Sequence, residues 1–86
     1  MKKFLVTFLN THASLKAKKV FSDIDCENEF IPVPRSISSE CGYSMLILIE
    51  THEKLLTLLE KEKIKIRHIY LCKDENGERN YEKING

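Results

Sequence analysis

Two stretches of this chain repeat one another: Phe8-Leu9-Asn10-Thr11-His12-Ala13-Ser14-Leu15 and Leu48-Ile49-Glu50-Thr51-His52-Glu53-Lys54-Leu55. Thr11 and Thr51 stand forty positions apart. Each stretch closes an apolar run and opens a helical pattern, so the chain reads as strand–helix–strand twice. Few topologies satisfy that order. Right-handed crossovers in both halves give β-α-β-β-α-β, an α+β ferredoxin-like sandwich with two helices on one face of a four-stranded antiparallel sheet.

The individual elements agree with that order. Lys3–Leu9 is rich in β-branched and aromatic residues and predicts a buried strand. Thr11 reads as the N-cap of a helix whose apolar stripe is Ala13, Ala17, Val20, Phe21 and Ile24. Glu29–Pro34 is extended, and its two prolines belong at a sheet edge or strand end. Tyr43–Ile49 predicts a second central strand. Thr51 caps a second helix marked by Leu55, Leu58, Leu59 and Glu62, and Ile64–Leu71 predicts the fourth strand. Asn76-Gly77 is the signal of a two-residue hairpin turn. Arg79–Ile84 is therefore either a short fifth strand at the edge or a frayed tail. The expected division is one domain over residues 1–73, with 74–86 as a polar hairpin or tail.

Charge and composition remove several functions. Fourteen basic and thirteen acidic residues give a net charge of +1 in 86 residues, too small a surplus for a general phosphate-backbone binder. The strand Tyr43–Ile49 has one aromatic and no Lys or Arg, which disfavours an RNA platform, and the three glycines are too scattered for a phosphate loop. No apolar run is long enough to span a membrane. After Met1-Lys2-Lys3 the six-residue apolar segment is too short for a secretory signal, and the chain reads as cytoplasmic. Three cysteines without a C-x-x-C pair indicate neither a disulfide framework nor a zinc ribbon. The histidines show no metal-ligand spacing, and no cofactor is implied.

One segment exceeds what the fold requires. The connection from Ile31 to Gly42 is longer than an ordinary hairpin loop, opens on two prolines, and contains Arg35, Ser36, Ser38, Ser39 and Cys41 before Gly42. A reactive thiol at Cys41 would use all of them. Arg35 supplies a cation, Ser38 and Ser39 supply hydrogen-bond donors, and Gly42 permits close approach or an unusual φ. Equally, Cys41 can be a small buried hydrophobe in a serine-rich loop. Cys26 in a polar connector reads as incidental. Cys72, at the end of the last strand, reads as filler or as a resolving partner for Cys41. His12 is either a plain helix-start residue or an anion-binding and proton-relaying group at the first strand–helix turn. His68 belongs to one face of its strand.

Pro32-Val33-Pro34-Arg35, Ile37-Ser38-Ser39 and Cys41-Gly42, preceded by the Thr11-His12 turn, resemble the small bacterial selenium/sulfur (Se/S) carrier-like family over Lys3 to Leu71. The resemblance implies that Cys41 holds a persulfide or selenopersulfide with Arg35 beside it, and that donor and acceptor proteins are the partners. The chain departs from the family's pattern in its extra thiols, Cys26 and Cys72, and in its polar tail, for which the resemblance does not account. Such a protein is a carrier rather than a turnover enzyme: it needs an accessible low-pKa sulfur and no acid–base pair. The alternative is a non-catalytic module that binds a small ligand or protein through the same loop. A third reading is a one-cysteine redox sensor. Exposed edge strands would also allow a homodimer.

Overall fold

The computed structural model of the chain describes residues 1–24, 26–37 and 42–85. Strand β1 (Lys2–Phe8) is buried from Phe4 to Phe8 because it lies between two other strands and is covered on both faces. It leads into helix α1 (Thr11–Ser22), strand β2 (Asn28–Pro32), strand β3 (Tyr43–Ile49), helix α2 (His52–Lys61), strand β4 (Ile66–Glu75) and strand β5 (Glu78–Asn85). The five strands form one antiparallel sheet in the order β2-β3-β1-β4-β5. The fifth strand is thus present. Its turn residues Asn76 and Gly77 have φ of 51° and 79°, the left-handed values that a tight hairpin with the strand twist requires.

Alternation along the strands sends side chains to two different environments. Phe4, Val6 and Phe8 of β1, Met45 and Ile47 of β3 and Ile69 of β4 face both helices. There they meet Ala13, Ala17 and Phe21 of α1 and Leu55 and Leu59 of α2 in one core cluster. Full burial of each large apolar side chain stabilises by about 1.5–3 kcal/mol. The opposite face carries a smaller cluster of Leu5, Leu46 and Tyr70, with half-buried Ile31, Ile37, Cys72 and Tyr81 against it. Ile37 comes from the long connection between β2 and β3. That connection therefore packs partly on the sheet face that has no helices.

Helix ends follow local chemistry, with one departure from expectation. The N-cap of α1 is Asn10, not Thr11: the Asn10 Oδ1 accepts from the Ala13 N–H at 2.8 Å, and its carbonyl accepts from the Ser14 N–H. A short amide side chain caps at least as well as threonine, so the helix starts one residue earlier. The stripe also ends sooner, since α1 stops at Ser22 and Ile24 packs on the core from beyond the helix. Thr51 does cap α2, accepting from the Lys54 N–H at 3.1 Å. At the other end of α2, Lys63 takes φ 55°, and the Lys63 and Ile64 N–H groups donate to the carbonyls of Glu60 and Leu59. This closes the helix in a Schellman turn with Ile64 returned to the core.

The strand expected over Ile64–Leu71 is displaced to Ile66–Glu75, because that turn takes up Lys63 and Ile64 while the β5 hairpin extends the other end. The β1–β4 register also shifts. Thr7 lies opposite His68 and Phe8 opposite Ile66, so Arg67 is the extra residue of a bulge.

Candidate functional site

A cavity of about 300 Å³ opens at the end of the sheet where β1 passes into α1. Three pieces of chain form its wall. The β1–α1 turn contributes Asn10 and Thr11, followed by Ser14 one turn into the helix. The bulged start of β4 contributes Arg67, His68 and, further along, Tyr70. The β2–β3 connection contributes Val33, Ile37 and Gly42. Thr7, Phe8, Leu9 and Tyr43 are the other described lining residues. No carboxylate stands among these described residues.

Several of the polar groups are already engaged. Thr7 Oγ1 accepts from the His68 N–H at 3.1 Å and donates back to the His68 carbonyl at 3.4 Å, which pins the two strands beside the bulge. Ser14 Oγ donates to the Thr11 carbonyl at 2.7 Å. His68 stands edge-on to Tyr70 with ring centroids 6.1 Å apart, and its Nδ1 is buried without a hydrogen-bond partner among the described residues. Tyr70 differs. It is only 7% exposed, and its phenol makes no hydrogen bond among the described residues, yet the oxygen is not sealed from solvent. Arg67 has partners within the chain in addition to the cavity it borders.

The residues expected to form a site are placed unequally. Gly42 borders the cavity, and its carbonyl accepts from the Val33 N–H at 3.0 Å, extending the β2–β3 ladder. Its φ is not in the left-handed region, and an added Cβ would meet, among the described residues, only Val33 Cγ2 at 3.8 Å. Arg35 is exposed in the turn closed by the Ile37 N–H to Pro34 carbonyl bond, and His12 is exposed on α1; neither borders the cavity. Ser38, Ser39 and Cys41 lie outside the described residues. Ile37 and Gly42, on either side of that segment, both line the cavity.

The other two cysteines face away from each other. Cys26 packs against the helix-side core and its Sγ donates to the Leu48 carbonyl at 3.3 Å. Cys72 belongs to the opposite face, where burial pushes its thiol up to about 11, and the nearby Arg79 and Lys3 offset only part of that.

Sequence reasoning passed over Arg67 and Tyr70. The alternation His68-Ile69-Tyr70 could have placed Tyr70 on the face of His68, but a bulge leaves no mark in residue type, and it is the bulge that brings Arg67 to the cavity. Among the described residues no group of three or more His, Cys, Asp or Glu side chains is arranged to hold a metal, and no helix is long and apolar enough to cross a membrane.

No curated protein and no solved structure matches the chain. A family model does, over residues 3–71, which takes in β1, both helices, the long connection and most of β4. By that match, and in keeping with the Pro-Arg and Cys-Gly motifs of its connection, the chain belongs to the family described as "Putative Se/S carrier protein-like".

Proposed function

We propose that this protein carries sulfur or selenium as a persulfide or selenopersulfide on Cys41, between donor and acceptor proteins in a reducing compartment. The observation that carries the reading is the placement of Ile37 and Gly42. Both residues flanking the Ser38–Cys41 segment line the cavity, and Cys41 is one peptide bond from Gly42. The other two thiols suit the task poorly. A thiolate is the attacking species, and Cys72, with its thiol pushed up to about 11, holds its proton at neutral pH. Cys26 donates its thiol hydrogen to a backbone carbonyl within the core.

Cys72 is also far from Gly42, the residue that follows Cys41 in the chain. Ser44 lies opposite Thr7 on one side of β1, and Leu71 lies opposite Phe4 on the other. Gly42 and Cys72 continue away from one another along those strands, roughly 20 Å apart at ~3.3 Å per residue. Disulfides hold Cα atoms within about 7 Å, so the reading assigns Cys41 a partner on another molecule. Arg35, Ser38 and Ser39 act in it as donors around the loaded sulfur, and His12, exposed on α1, as a binding contact.

The same reading takes the fold as ferredoxin-like. The order β4-β1-β3-β2, all antiparallel, with both helices packed on one face, supports it, and β5 is then an addition at the edge.

Sulfur transfer from a persulfide donor to an acceptor thiol tests the function. The Cys26→Ser/Cys72→Ser double variant should transfer labelled sulfur like the parent, and Cys41→Ser should not. Unchanged transfer by Cys41→Ser would remove the carrier reading and leave the connection as a binding loop.

A further inference from the structure

We propose that the cavity itself is a binding site for a small tetrahedral oxyanion, formed by Tyr70, Arg67 and the first turn of α1. The choice of a sulfur oxyanion within that class rests on the carrier reading; the site does not. Tyr70 is the first reason. Its side chain is more than nine-tenths buried and lines the cavity, while its hydroxyl has no hydrogen bond among the described residues and keeps access to solvent. Its ring is enclosed while its hydroxyl stays open to the cavity, so a ligand there can take this hydrogen bond in place of water.

The start of α1 supplies a second, independent set of donors. Asn10 uses its side chain and its carbonyl to satisfy the N–H groups of Ala13 and Ser14. The N–H groups of Thr11 and His12, at the tip of this 12-residue helix, have no partner among the described residues. Such a tip favours negative charge, and no acidic residue occupies the first turn of α1, whereas α2 carries Glu53 there.

Charge agrees with this arrangement. Arg67 brings a positive charge to the cavity, and none of its described lining residues is acidic. An arginine has five N–H donors in a planar fork, so it can serve an anion and a partner within the chain together. A volume of about 300 Å³ has room for a group the size of sulfate or thiosulfate. Gly42 on the rim sets that anion beside the segment that contains Cys41, which suits a sulfur compound as the occupant.

Titrations of the full chain with thiosulfate, sulfate and inorganic phosphate, followed by amide chemical shifts, test the site. The expected result is saturable shifts at Thr11, Ser14 and Tyr70 with thiosulfate and sulfate, weakened roughly tenfold in Tyr70→Phe and in Arg67→Gln. Tyr70→Phe changes one atom and keeps the packing, so it remains informative if Arg67→Gln fails to fold. Absence of saturable shifts with all three anions, or binding unaffected in Tyr70→Phe, would overturn the site. Phosphate binding more tightly than both sulfur anions would overturn the sulfur assignment. Cys41→Ser should bind thiosulfate as the parent does, so a failure of the carrier reading is seen separately from a failure of the anion site.

Discussion

Single residues divide the three thiols of this chain by environment. Cys72 is half-buried against Leu5, Leu46 and Tyr70, and loss of solvent penalises its charged form more than Arg79 and Lys3 favour it. A titration follows with a definite sign. Between the ordinary thiol value of 9.0 and about 11 the native state keeps a proton that the unfolded chain has lost. Stability from this group is therefore full below pH ~9 and falls as pH rises through that window. Cys72→Ala should flatten the alkaline limb of the stability curve, measured by denaturant unfolding at a series of pH values. In the native protein, alkylation mapped by residue should find Cys72 nearly inert at pH 8 and reactive only as the pH approaches 11.

At the scale of elements, the helix ends carry much of the local specification, and two of them give opposite predictions. Asn10→Ala removes the cap of α1 and should cost about 1 kcal/mol. Lys63→Gly relieves a side chain from a φ of 55° and should stabilise by about 0.5–1 kcal/mol. Both are read from urea midpoints with an unchanged slope. The Thr11-His12 and Thr51-His52 pairs explain how far the sequence was legible here. Matching threonines suggested matching caps, yet Asn10 competes successfully one residue earlier, so the two helices begin out of step with the repeat. The first strand, by contrast, was clear. The run Lys3–Leu9 already reads as a buried strand, though its two faces emerge only in the fold, and Asn76-Gly77 already marks the last turn. The cavity was less legible because it is made by a bulge at Arg67 and by a connection returning across the sheet through Ile37. Both depend on contacts between residues distant in the chain.

The whole molecule is a thin layered structure in which one sheet serves two surfaces. The helix-side core is the larger, and Phe21 lies fully buried in it. Phe21→Ala should cost about 3–5 kcal/mol, a large share of the stability a small domain has, and show as a marked fall in the thermal midpoint. Among the described residues the other face carries a smaller apolar cluster and, at its end, the cavity beside the long connection. A buried core on one side and an open cavity on the other suit the proposed carrier role, in which two partners would reach the load in turn. The most direct test is residue-mapped mass spectrometry after exposure to a persulfide donor. The account predicts one added sulfur on Cys41, removed by a thiol acceptor, with Cys26 and Cys72 unmodified. Equal loading of all three cysteines, or loading of Cys26 or Cys72 with Cys41 left bare, would contradict it.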